Sequence, residues 1–158
     1  MDGIRRFEVA DAAAVGELAA TEANAAQWSV ESYRRLRESG FDGWVAMEDG
    51  HGIQGFIVTR TISDEAEILN VAVAAGWRRR GIAGALFEEA LKSFRMAGVR
   101  RIFLEVRASN LAAIAFYRKH GFAETGSRAG YYPATESSGR EDAVLMQKFV
   151  TGRNQLPT

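Results

Sequence analysis

Cysteine is absent, which removes disulfides, cysteine-ligated zinc and a thiol nucleophile together. Lysine is nearly absent too: it occurs at Lys92, Lys119 and Lys148, and the rest of the 20 basic residues are arginine. Arginine offers planar, bidentate donors suited to phosphates and carboxylates, although a GC-rich genome would produce the same bias. The 20 acidic residues balance the 20 basic ones, so no global positive field advertises nucleic acid. No apolar run approaches the ~20 residues a membrane-spanning helix needs, and the opening 1–6 lacks the apolar segment of a signal peptide. Neither the acidic residues nor the two histidines cluster at metal-ligand spacing. The expectation is a soluble, cytoplasmic protein with no metal and with neither nucleic acid nor membrane as partner.

What is present suits one compact domain. A chain of 158 residues is rather short for two, and at that size roughly 70% of the unfolded surface can be buried. Residues 1–150 are expected to form the domain, and the polar stretch 151–158 a frayed tail. Residues 4–9 alternate as a strand, and Asp11 stands where it can cap a helix through Val15, Leu18 and Ala19. Ser29, with Glu31 in the first turn, starts a second helix that Gly40 ends. Strands at 44–47 and 53–62 flank the turn Asp49-Gly50-His51-Gly52 as a hairpin. Residues 67–73 read as a central strand. Leu86, Phe87, Ala90, Leu91 and Phe94 then recur at helical spacing up to Gly98. A strand at 101–106, a helix at 111–120 and strands near 122–127 and 143–149 complete a mixed α/β pattern without internal repeats.

The loop before the third helix carries the chemistry. Arg78-Arg79-Arg80-Gly81-Ile82-Ala83-Gly84 follows a strand and opens a helix. A helix start has four backbone N–H groups without intrahelical partners and a partial positive charge. Small residues at Gly81, Ala83 and Gly84 let a pyrophosphate approach those groups, and the three arginines add charge-assisted contacts. The bland alternative is ordinary turn chemistry with solvated arginines. The loop is neither a Walker A nor a GxGxxG motif, which disfavours nucleotide hydrolysis and dinucleotide binding.

Arg78-x-x-Gly81-x-Ala83 resembles the acyl-CoA pyrophosphate motif of the GNAT N-acetyltransferase superfamily. Asn110-x-x-Ala113-x-x-x-Tyr117-x-x-x-Gly121-Phe122 resembles the last part of the same cofactor site, and order and spacing match. The resemblance covers nearly the whole chain. It implies a single GNAT-like α/β (α+β) domain, a central mixed β-sheet of about seven strands flanked by about four helices. Within the superfamily, Leu104-Glu105-Val106-Arg107-Ala108-Ser109-Asn110 and Tyr131-Tyr132-Pro133 followed by Gly139-Arg140-Glu141-Asp142-Ala143 are similar to signatures of the RimI family. That family acetylates the N-terminal alanine of a small-subunit ribosomal protein, so the implied partners are acetyl-CoA, with CoA as product, and an N-terminal peptide.

Acetyl transfer to an amine needs a held thioester, a neutral amine and a proton for the departing thiolate. The resemblance implies that Val71, Ala72 and Val73 offer backbone groups to the pantetheine arm. It also implies that Asn110 reaches the cofactor with its amide, a role compatible with plain helix capping. Tyr117, seven residues on, projects from the same helix face. With a phenol pKa of ~10 against ~8.5 for a thiol, a positioned tyrosine can protonate a leaving thiolate.

Glu105 lies on a strand whose alternate residues Ile102, Leu104 and Val106 face the other way, and the resemblance makes it the general base. Neutralising an N-terminal amine at pH 7 costs about 1.4 kcal/mol and a lysine amine about three times as much, so a modest base suits an N-terminus. Pairing with Arg101 or Arg107 is the structural alternative for Glu105, and Glu67 is the rival base. Direct transfer through a ternary complex is expected.

Tyr131, Tyr132 and the 136–141 loop are expected to wall a groove for an extended acceptor, with Glu141 drawing its basic end. For Pro133 and Asp142 a purely structural hairpin role is preferred. His51 and His120 read as turn and helix-end residues rather than bases. Two departures from the family pattern border the acceptor: proline usually precedes the tryptophan of the first helical hairpin, where this chain has Ala26-Gln27-Trp28-Ser29, and the 133–141 loop is slightly long. A small-molecule amine acetyltransferase, acting on a polyamine, amino acid or antibiotic, therefore stays open, as does a non-catalytic acyl-CoA-binding module.

Overall fold

The computed structural model of the chain describes residues 3–134 and 139–150; the expected tail at 151–158 and residues 136–138 of the acceptor loop lie outside them. Strand β1 (Gly3–Arg6) is followed by helices α1 (Ala12–Thr21) and α2 (Val30–Arg34). Strands β2 (Phe41–Glu48), β3 (Gly52–Ile62) and β4 (Glu65–Val73) come next. Helix α3 (Ile82–Met96), β5 (Arg101–Arg107), α4 (Leu111–Lys119), β6 (Ala123–Tyr132) and β7 (Glu141–Phe149) follow among the described residues. The seven strands form one sheet in the order β1-β2-β3-β4-β5-β7-β6, mixed as expected because β4 and β5 run parallel. Among the described residues no helix is long and apolar enough to cross a membrane, and no group of histidine, aspartate or glutamate is placed to hold a metal.

Helices cover both faces of the sheet. On one, Leu86, Phe87, Ala90, Leu91 and Phe94 of α3 and Ile114 and Tyr117 of α4 pack against Ile57, Ile68, Ile102, Leu104 and Met146. On the other, Val15, Leu18 and Ala19 of α1 and Tyr33 of α2 pack against Val45, Phe56, Val58 and Ala72. Each large apolar side chain removed from water contributes about 1.5–3 kcal/mol as an upper estimate, so the helical periodicity of α3 is what anchors it. Gly55 on β3 lets α3 come close: a Cβ there would lie 3.0 Å from Ile82 Cγ2 and 3.2 Å from Leu86 Cδ1.

Two local readings change. The first strand stops at Arg6, and Asp11 does not cap α1. Its carboxylate instead accepts both Arg5 guanidinium nitrogens, at 2.7 and 2.8 Å, and the Glu8 N–H at 2.8 Å. That three-way anchor turns the chain through a 3-10 turn at Val9–Asp11 before the helix can start. Ser29 does cap α2, its hydroxyl accepting the Ser32 N–H at 3.1 Å. The helix is short, five residues, before the chain turns to Gly40, which has φ +80°.

Candidate active site

The register of β4 holds the first key to the site. Val58 pairs with Asn70 but Thr59 pairs with Ile68, so Leu69 is an extra residue, a β-bulge. Side chains therefore change phase: Ala66 and Ile68 join the α3 face, as do Val71 and Val73, while Leu69, Asn70 and Ala72 all face α1 and α2. Asn70 uses its buried amide fully. It donates to Tyr33 Oη at 3.0 Å and to the Ala26 carbonyl at 3.2 Å, and it accepts the Ala26 N–H at 3.0 Å. The connection between α1 and α2 is thus tied to the bulge of the central strand.

The second key is a splay. Parallel pairing of β4 with β5 runs only from Glu65 with Arg101 to Glu67 with Phe103. Beyond it, residues 68–73 stay with β3 and residues 104–107 stay with β7, so the two strands part and leave facing backbone edges. Val71, Ala72 and Val73 lie on one arm of that opening, and Glu105 lies on the other.

The 78–84 loop stands at the mouth of the opening on the β4 side. Arg79 and Gly81 are both left-handed, with φ of +62° and +77°, which turns the chain sharply into α3. The first intrahelical bond is Ala85 N–H to the Gly81 carbonyl, so the Ile82, Ala83 and Gly84 N–H groups form the open first turn. The arginines are held differently. Arg78 pairs with Glu22 at the end of α1, and the Arg80 guanidinium lies 4.5 Å from the centre of the Trp77 ring. Gly84 faces His120, whose ring packs on Phe116 at 4.3 Å. Burial, outweighing nearby Glu88, holds the His120 imidazole below its ordinary pKa.

Asn110 caps α4, its Oδ1 accepting the Ala113 N–H at 3.2 Å. Tyr117 is 5% exposed and sits edge-on to Phe116 and Phe122, each ring centre 5.4 Å away. Burial pushes its phenol well above the usual tyrosine range, and neighbouring Tyr132 pushes it the same way. Tyr132 is itself pushed up to about 12 by burial, then by Glu105 and Tyr131. Tyr132 thus feels the charge of Glu105 and in turn raises the Tyr117 phenol.

Glu105 does not pair with Arg101 or Arg107. Its Oε1 accepts a 2.8 Å bond from Arg128 Nη1, while Arg101 turns to Glu65 and Arg107 to Glu141. Glu105, as acceptor and as negative charge, also holds the Tyr131 phenol above its ordinary pKa, with a smaller push from Glu67. Glu67 lies where the two strands still pair, bonded to Arg60. Glu141 accepts the Ser109 N–H at 2.6 Å, which ties β7 to the turn before α4. Asp142 accepts the Gly130 N–H at 2.8 Å, the hairpin role expected of it. Arg107 stacks on Tyr132 at 4.3 Å and Arg128 on Tyr131 at 4.1 Å. Arg128, Glu22 and Asn70 carry no local signal in the sequence, because their partners lie far away along the chain.

The family model described as the acetyltransferase (GNAT) family matches residues 12–122. The ribosomal protein bS18-alanine N-acetyltransferase of Escherichia coli (strain K12) is 37% identical to the chain over 124 residues, 78% of this chain and 82% of that protein. A putative enzyme of the same name from Bacillus subtilis is 32% identical over 121 residues, 75% of this chain and 77% of that one. The crystal structure of the ribosomal-protein-S18-alanine N-acetyltransferase from Escherichia coli superposes with a TM-score of 0.84, at 32% identity, over 99% of both chains.

Proposed function

The chain belongs to the acetyltransferase (GNAT) family and is an acetyl-CoA-dependent N-acetyltransferase, and from that premise we propose that its acceptor is the N-terminal α-amine, alanine first, of a small-subunit ribosomal protein. The observation that carries this reading is Glu105, which lies on β5 past the last β4–β5 pair, beside the gap those strands leave. The likeness to two bS18-alanine N-acetyltransferases supports the choice of acceptor.

The residues fit the donor. The open first turn of α3, with Gly81, Ile82, Ala83 and Gly84, suits a pyrophosphate. Arg78, Arg79 and Arg80 surround that turn, and Arg78 must exchange Glu22 for the phosphate. The backbone edge at Val71, Ala72 and Val73 suits an amide-bearing arm, and Asn110, at the start of α4 after β5, is assigned to the same arm from the β5 side.

In the reaction the neutral amine attacks the thioester carbonyl; the C–N bond forms and the C–S bond breaks. Glu105 takes the proton that the amine loses. Tyr117 donates a hydrogen bond, and at the limit its proton, to the departing sulfur, and it is reprotonated as Glu105 gives up the proton it took, so that CoA leaves as the thiol. Burial raises the phenol pKa further above that of the thiol, so Tyr117 stabilises the departing thiolate by a hydrogen bond more than by full proton transfer. Tyr131, Tyr132 and Glu141 border the acceptor side. With no cysteine in the chain, direct transfer in a ternary complex is the economical route.

Thiol release measured with a peptide beginning with alanine, with a lysine peptide capped at its N-terminus and with free polyamines tests the proposal. Turnover confined to the first supports it. Activity only on free amines removes the N-terminal reading. Near-normal kcat in both Glu105→Gln and Tyr117→Phe removes the mechanism, as does a stable acetyl-enzyme seen by intact mass.

A further inference from the structure

Strand β6 brings to the base a cation that the acetyl transfer itself does not require. Arg128 and Glu105 are separated by strand β7, two strand spacings or about 10 Å of sheet. They meet because Arg128 lies opposite Ala143 and Gly126 opposite Leu145, the partner of Glu105. Residues directly opposite one another share a face. Ala143 and Gly126 carry little side chain on that face beside Leu145, and Arg128 reaches across β7 to bond Glu105 at 2.8 Å. Tyr131 provides the shelf, its ring centre 4.1 Å from the guanidinium carbon. Gly130 makes that shelf possible. Its left-handed φ of +58° interrupts the pairing of β6 with β7 between Arg128 and Tyr132. Asp142 bonds its N–H and the Arg140 guanidinium its carbonyl, so the irregular turn is held from both sides.

A guanidinium so placed sits where an acceptor is read. An amine within reach of Glu105 brings the atoms next to it within reach of Arg128. In a peptide N-terminus the first carbonyl oxygen is only about 3 Å from the amine nitrogen. A lysine side chain offers methylenes at that place, and a polyamine offers methylenes and then a second positive charge that Arg128 repels. One of the five guanidinium donors is directed at Glu105. Stacking on Tyr131 holds the plane in place when the carboxylate turns to the amine.

We infer that Arg128 is a specificity-determining residue: held by Tyr131 and Glu105, it receives the carbonyl oxygen beside the reacting amine and so selects peptide N-termini over amines without that carbonyl. The inference rests on the N-terminal acceptor proposed above.

The test compares an alanine-initiated peptide with the same peptide in which an (E)-alkene replaces the first peptide bond. Both are assayed against the wild type, Arg128→Gln and Arg128→Lys. The side chain is 52% exposed, so these substitutions leave the core untouched. A charge-assisted hydrogen bond to the carbonyl predicts that the wild type loses about tenfold or more in kcat/KM on the alkene. Arg128→Gln loses a similar factor on the natural peptide and then separates the two peptides by less than about threefold, while Arg128→Lys falls between. A residue that merely supports the fold would lower both peptides equally. Arg128→Gln keeping the wild-type separation overturns the inference while leaving the N-terminal acceptor standing. A wild type that acetylates free amines alone overturns the acceptor and this inference together.

Discussion

Glu105 and Glu67 are two carboxylates at different depths of the same divide between β4 and β5. Glu67 is 19% exposed in its side chain, bonded to Arg60 and lies where the strands still pair, whereas Glu105 lies past the point where they part. Position therefore argues for Glu105 as the proton acceptor. Glu105→Gln is expected to lower kcat/KM by about 10²–10⁴ and Glu67→Gln by only a few-fold; steady-state thiol release checks this, and the reverse order would make Glu67 the base. Asp11 matters to stability instead. Burial alone would raise its pKa, but the two-pronged Arg5 bond and the Glu8 N–H overcome that and hold it below the usual carboxylate value. A depressed folded pKa means the contribution is complete above the unfolded value near 4 and disappears as pH falls through the folded one. Asp11→Asn is thus predicted to lose about 1–3 kcal/mol at pH 7. Calorimetry should find the gap to wild type narrowing below about pH 4; a gap independent of pH would refute the assignment.

At the scale of elements, the placing of α3 against β3 and β4 sets where its first turn stands. Gly55 is a point of close approach, with the Ala72 carbonyl 3.2 Å and Ile82 Cγ2 3.0 Å from any added Cβ. Gly55→Val must push the start of α3 outward. A loss of about 1–3 kcal/mol of stability is expected from overpacking, together with weaker acetyl-CoA binding by calorimetric titration. Unchanged affinity in a folded Gly55→Val protein would separate the anion-binding turn from this packing contact. The Leu69 bulge works at the same scale. By placing Asn70 toward the α1–α2 connection and Val71 and Val73 toward α3, it lets one strand serve both faces of the sheet.

For the whole molecule, acetyl-CoA would bridge structures that the sheet leaves apart: the α3 turn and β4 on one side, α4 and β5 on the other. A ligand that binds only the folded state stabilises it by about 2.7 kcal/mol at a hundred times its Kd. For a domain of this size that corresponds to a rise in Tm of about 5–10 °C, read by thermal melts with saturating acetyl-CoA. No rise would contradict the proposed cofactor site.

Much of this architecture was already legible along the chain. Helix α3 follows from the spacing of Leu86, Phe87, Ala90, Leu91 and Phe94, because burial of one stripe is a local geometric property. The glycine turn at its start, the Asn110 cap and the alternation that turns Glu105 away from Leu104 and Val106 are local in the same way. What only the tertiary structure decided are relations between distant segments: Arg128 on Glu105, Arg78 on Glu22, Asn70 on Ala26, and the end of β4–β5 pairing after Glu67. An arginine has no periodic signature that names its partner. Strand register depends on which neighbours each strand acquires, and β4 and β5 part after Glu67 while each keeps its outer neighbour, β3 or β7. The residue types of the site were thus written into the chain, while the carboxylate's cation and the opening it faces arose from the assembly of the sheet.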